Sequence, residues 1–171
     1  MDTKEVQDSL WSSVFATSAM TVALFLIHDK LGKFEKSPLP PATISQESAE
    51  RAQVADFLSP LARQNLTLVS HYAYGAVGAL LYSILEKKLA RKQNAALKGG
   101  LYGTIVWLFS YYLETPMLRF RANAYDMPES RNGMMLAAHL VWGSVLGIAL
   151  DAMTKAGTEM LDGRGQALAA E

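Results

Sequence analysis

The sequence predicts an all-α fold, a four-helix transmembrane bundle with a long first loop that carries a short amphipathic helix. Three observations carry that reading. Four long stretches hold no Asp, Glu, Lys or Arg: residues 9–28, 64–85, 99–113 and 132–150, which are 20, 22, 15 and 19 residues long. Small residues and paired glycines recur inside them at helical spacing. The polar residues they keep are Ser, Thr, Tyr and His, not the Lys and Glu that mark the wet face of a soluble helix. A bilayer core of roughly 30 Å takes about 20 residues at 1.5 Å each, and a charge at its centre costs roughly 2.5 kcal/mol or more. An aqueous four-helix bundle, the alternative, gives no reason for helices without a charged face.

Composition narrows the function classes. With 16 basic and 16 acidic side chains the net charge is zero, so nothing points to nucleic acid or an anionic substrate. There is no cysteine, which excludes disulfides, thiolate metal sites and thiol nucleophiles. The 171 residues are expected to form a single integral membrane domain. The polar start MDTKEVQDSLW lacks the basic region and cleavage site of a signal peptide, so the first apolar run is expected to stay in the mature protein.

The first crossing, about 9–28, has a small-residue face of Ser12, Ser13, Ala16, Thr17, Ala19 and Ala23. In lipid, close packing through small residues takes the place of hydrophobic drive. Trp11 stands where an interfacial aromatic belongs. Residues 29–63 form the long loop: KSPLPPATIS reads as extended, because each Pro restricts itself and the residue before it. Gln46 to Leu58 then reads as a short amphipathic helix, capped by Thr43 or Ser45, lying on the membrane surface or over the bundle mouth.

The second crossing, about 64–85, leads to a turn with Lys87, Lys88, Arg91, Lys92 and Lys98. The third, about 97–116, is short; it spans if Lys98 snorkels outward and Glu114 sits at the interface, with Pro116 and Met117 ending the helix. Gly99 and Gly103 on it, and Gly143 and Gly147 on the fourth crossing at about 132–151, have the four-residue spacing that admits another backbone. The tail from Thr154 reads as a helix end followed by disorder. Positive charges divide equally between the two sides, but the short second loop is far denser in them, which places both termini in the cytoplasm.

Two histidines stand out. His71-x-x-Tyr74-Gly75 in the second crossing is echoed by His139-x-x-Trp142-Gly143 in the fourth, each histidine eighth in its charge-free stretch. The two crossings run the same way, so both imidazoles lie at one depth, near the outer face. Three readings stand. Each imidazole pins the bundle by bonding to a neighbouring helix. Or the pair ligates haem b or a metal ion, with Gly75, Gly78 and Gly143 making room for a flat macrocycle. Or both belong to a proton or solute path, which Glu114 and Asp151 join. Met127, Met134 and Met135 read as core before they read as copper ligands. No catalytic motif occurs: there is no G-x-S-x-G, H-E-x-x-H, Walker loop or dinucleotide fingerprint.

The order SHYAYGAVGALLY, basic turn, GGLYGTIVWLFSYYLETPML and AHLVWG resembles the YagU-like group of small bacterial inner-membrane proteins, over about residues 64–153. The resemblance rests on His71, on Gly99 and Gly103 with Pro116 closing the third helix, and on His139-Leu140-Val141-Trp142. It implies a multi-pass protein of the bacterial inner membrane whose role is uncharacterised, and it gives weight to the two histidines. The expected role is a non-enzymatic accessory or assembly subunit in the bilayer. The glycine faces add the expectation of a homo-oligomer or a docking subunit of a larger membrane complex. The alternative is a haem- or metal-binding redox protein, or a transporter, using His71 and His139.

Overall fold

Asp2 accepts a hydrogen bond from the Glu5 backbone N–H, and the Glu5 carboxylate accepts one from the Asp2 N–H. This capping box starts helix α1 (Thr3–His28), ahead of the charge-free run. The computed structural model describes residues 1–30, 38–87 and 93–169, with side chains to 157. Lys88, Arg91 and Lys92 of the basic turn, and Lys36 and Ser37 of the proline-rich stretch, lie outside the described residues.

Helix α2 (Pro40–Arg51) corrects the reading of the long loop. The stretch expected to be extended becomes helical at Pro40, and the helix ends well before Leu58. Leu39 supplies the extended N-cap and Pro40 the first helical position, where its missing N–H costs nothing and its fixed φ is already helical. A single 3₁₀ turn, Ala55–Phe57, follows. Helix α3 (Pro60–Glu86) repeats the device, with Ser59 Oγ accepting from the Ala62 N–H at 3.2 Å. Asn94 Oδ1 caps α4 (Ala95–Phe109), accepting from the Ala96 and Leu97 N–H groups at 2.8 and 3.4 Å.

Beyond Phe109 the helix widens into a π turn, Ser110–Glu114, in which the Thr115 N–H reaches back five residues to the Ser110 carbonyl. It closes as α5 (Thr115–Met117). Helix α6 runs from Glu129 to Ala169, so the backbone of the tail expected to be disordered continues the helix. All regular structure among the described residues is helical. Among the described residues three helices are long and apolar enough to cross a membrane: α1, α3 and the Glu129–Gly157 part of α6.

Packing is inverted relative to a water-soluble bundle. Helix α1 buries Ser9, Ser12, Ser13, Ala16 and Thr17 and turns Trp11, Phe15, Phe25 and Leu26 outward, the last two more than 60% exposed. Helix α4 does the same with Leu101 and Ile105. Large apolar side chains on the outside and small ones inside suit hydrocarbon surroundings.

Helix α6 packs against α4 on one side and α1 on the other, and α3 packs on α1. A Cβ on Gly99 would run into the Gly143 carbonyl oxygen, one on Gly103 into that of His139, and one on Gly147 into that of Ala95. The two glycine faces are therefore used on each other, inside one chain. Lys98 does not snorkel outward; it is buried and its Nζ pairs with Glu86 Oε1 at 2.6 Å, joining the ends of α3 and α4. Elsewhere α3 and α4 scarcely touch, which leaves a gap between them.

Candidate functional site

The gap between α3 and α4 opens into a chamber of about 290 Å³. Thr17 and Met20 of α1 and Met135, His139 and Trp142 of α6 form its back. His71, Tyr74, Gly75 and Gly78 of α3 form one wall; Ser110, Tyr111 and Glu114 of the π turn form the other. Helix α2 roofs it with Pro41, Ile44 and Ser48. His71 and His139 thus line one chamber, each about 15 Å along its helix from the end nearest α2.

The roof is anchored at several points. Glu47, its side chain 7% exposed, accepts from Arg121 Nε at 2.8 Å. Arg51 donates to the carbonyls of Leu118 at 2.6 Å and Arg119 at 2.7 Å, and its guanidinium lies 4.4 Å from the Phe120 ring centre. Those carbonyls sit at the C-terminus of α5, where a cation is favoured. Ser45 and Thr67 hydroxyls meet at 2.6 Å and tie α2 to α3. Both helix ends turn through non-glycine residues with positive φ, Gln53 at 58° and Arg119 at 55°.

Inside the chamber the histidines differ. His139 is buried; its Nδ1 donates to the Met135 carbonyl at 2.8 Å, which leaves Nε2 as the acceptor of a neutral ring. Tyr111 packs edge-on against it, ring centres 5.9 Å apart. His71 Nε2 and Thr17 Oγ1 are buried without hydrogen-bond partners. A buried polar group left unpaired costs about 1–3 kcal/mol, so these two atoms are unspent bonding capacity in residues that border the chamber. The mouth is crossed by one latch: Tyr74 Oη donates to Glu114 Oε2 at 2.6 Å, and the Ser110 hydroxyl, at 2.7 Å, donates to Tyr74 Oη. Beside the latch the lining residues Ser70 and Leu118 are exposed.

The echo between the two histidine motifs does not extend to their neighbours. Gly75 meets Thr17 of α1, whereas Gly143 meets the backbone of Gly99 and Gly103. Gly78 seats the Trp142 ring, 2.9 Å from where its Cβ would lie. The residues that sequence reasoning passed over are Thr17 as a chamber group, Ser110 and Tyr111. The polarity of Thr17 on an otherwise small face was the available signal. Among the described residues, no group of three or more His, Asp or Glu stands where it could hold a metal ion.

A model for a family of unknown function, DUF6789, matches residues 3–160. No curated protein and no solved structure matches the chain.

Proposed function

The chain belongs to the DUF6789 family, whose function is unknown, and we propose that it is a four-span membrane protein that binds a small amphipathic molecule between its spans. Besides the three long helices the remaining span is Ala95–Met117, third in chain order, one continuous helical path of 23 residues through the π turn, long enough for roughly 34 Å. Its outward face of Leu97, Leu101, Ile105 and Leu108 supports this. With the resemblance to YagU-like proteins, that reading puts the chamber in the outer half of the bacterial inner membrane, with both termini cytoplasmic.

The observation that carries the proposal is a largely apolar chamber bordered by the His139 ring and by two polar atoms, His71 Nε2 and Thr17 Oγ1, that are buried without hydrogen-bond partners. Such a site selects a molecule with an apolar body and a hydrogen-bond donor at one end. The mouth, at the level where the third span ends, lets it enter from the bilayer interface. A binding subunit of this kind needs no chemistry of its own and fits the accessory role. An oligomeric or docking role would use surfaces other than the glycine faces.

The test uses 4-hexylphenol, titrated calorimetrically into the chain held in lipid nanodiscs. His139→Phe, which loses the acceptor, is expected to weaken binding at least tenfold, about 1.4 kcal/mol. Equal affinity for wild type and His139→Phe, or none for wild type, overturns the reading. A second reading has one specific support: an imidazole with Nδ1 bonded to a carbonyl and Nε2 free is the arrangement of a metal-ligating histidine. Haem b or a metal ion between His71 and His139 would show in a visible absorption spectrum and metal analysis of protein from native membrane. A featureless spectrum and no bound metal remove it.

A further inference from the structure

A second, larger cavity lies at the opposite end of the bundle. It has a volume of about 1210 Å³ and is bordered by the ends of α1, α3 and α4 and by the Gly147–Gly157 stretch of α6. Its walls carry charge of both signs, largely paired: Lys98 with Glu86 at 2.6 Å, Lys155 with Asp151 at 2.7 Å, and Lys4 with Asp8.

Little separates the two cavities. On α3 the chamber ends at Gly78 and the vestibule begins at Tyr82, one helical turn or roughly 6 Å further on. On α6 the same boundary runs from Trp142 to Gly147, roughly 7.5 Å. Three aromatic rings fill the interval. Tyr82 and Tyr102 have ring centres 5.1 Å apart, and Tyr102 and Trp142 6.0 Å. One hydrogen bond ties this septum across the α3–α4 gap: Tyr102 Oη donates to the Gly78 carbonyl at 2.7 Å. Gly78 is also where the Trp142 ring rests.

We infer that the two cavities are the halves of one transmembrane path for small uncharged hydrogen-bonding solutes, and that Tyr102 is its gate, closed here. A wall between two cavities needs packing, and packing is what α4 and α6 achieve elsewhere by pressing backbone on backbone. At the septum the closure is instead three side-chain rings, of which Tyr102 is held across the α3–α4 gap by a single hydrogen bond whose net worth is about 0.5–1.5 kcal/mol. Tyr102 breaks it by a side-chain rotation and needs no helix movement. A charged solute is refused because the septum offers rings and one carbonyl, and the outer chamber is largely apolar. The inference stands on the septum and the two cavities, whatever occupies the outer one.

The experiment is osmotic swelling of proteoliposomes carrying the full chain, followed by light scattering, with glycerol and urea as probes. Wild type is expected to admit glycerol several-fold faster than protein-free vesicles. Tyr102→Phe keeps the ring and loses the bond, and is expected to raise the rate at least threefold. Trp142→Leu thins the septum from the α6 side and is the second variant, with the same direction expected, should Tyr102→Phe not fold by circular dichroism. Sodium flux is expected to stay at the protein-free level throughout. Wild-type vesicles at the protein-free glycerol rate overturn the proposal even if a variant leaks, because the septum is then a wall. Equal rates for wild type and the folded variants overturn Tyr102 as the gate, and sodium passage overturns the solute class.

Discussion

Gly103→Ala tests whether backbone contact between α4 and α6 holds the chamber in shape. A Cβ there would run into the His139 carbonyl oxygen, with His139 C at 3.1 Å and the Gly143 Cα at 3.2 Å. All three atoms are backbone, so no rotamer change relieves the clash, and the helices must part by about 1 Å. A gap of that size forfeits roughly a quarter to a half of the dispersion energy of the atoms it separates, and overpacking of this kind costs typically about 1–3 kcal/mol. Alanine returns up to about 1 kcal/mol of helix propensity. Because the clash is with backbone, the overpacking lies in the upper part of that range, about 2–3 kcal/mol, and the net loss expected is about 1–2 kcal/mol, a factor of roughly 5–30 in the folding equilibrium. Gly133→Ala is the control: nothing lies within 4 Å of its Cβ, so it gains propensity alone. Unfolding in mixed micelles with increasing dodecyl sulfate, read by circular dichroism, gives both values. The two substitutions are expected to differ in sign. Gly103→Ala as stable as wild type would refute the account of the interface.

Further outcomes follow from the roof and the mouth. Tyr74→Phe removes the latch to Glu114 and Ser110; in this cysteine-free chain a single Met20→Cys, buried at the back of the chamber, should then react faster with a membrane-soluble maleimide, and an unchanged rate removes the latch. Glu47→Gln weakens the Arg121 pair; because the Arg121 side chain is 78% exposed the loss is nearer about 1 kcal/mol than the several expected of a fully buried pair, and limited proteolysis between α2 and α3 should quicken. Gln53→Gly places glycine at a positive φ and should stabilise by up to about 1 kcal/mol in the same micelle titration.

Much of the architecture was legible because lipid penalises charge so heavily. The charge-free runs sit within α1, α3, the Ala95–Met117 path and α6, and the small face of α1 faces inward as its residues imply. Other features leave no such mark. Glycine spacing says that some backbone approaches, not whose; the approach occurs between α4 and α6 of one chain. Proline runs read as extended unless a proline falls at the first helical position, as Pro40 does. Lys98 looked free to reach water because its partner, Glu86, is on another helix. The chamber itself was visible only as two histidines of equal depth, since Thr17 and Tyr111 join it through tertiary packing.

The π turn is the feature most hidden in the sequence, and it also does most to shape the site. Inserting one extra residue into a turn rotates everything beyond it by about 100°. Here that rotation brings Glu114 to Tyr74 on α3, one turn past Tyr111, which packs against His139. The Tyr111 carbonyl takes the Ala124 N–H at 3.1 Å and the Thr115 hydroxyl at 3.4 Å, so the widened turn also holds the loop that leads to α6. Deleting Leu113, an exposed side chain, is expected to let the turn close as ordinary α-helix. Glu114 would then take the outward place of Leu113, and the Leu118 and Arg119 carbonyls would swing away from Arg51. The contact of α4 with α6 lies before the deletion and should persist, so helix content by circular dichroism should hold. The roof should loosen and 4-hexylphenol binding should fall at least tenfold. A deletion variant that binds as wild type does would mean that the π turn is a tolerated irregularity with no part in forming the site.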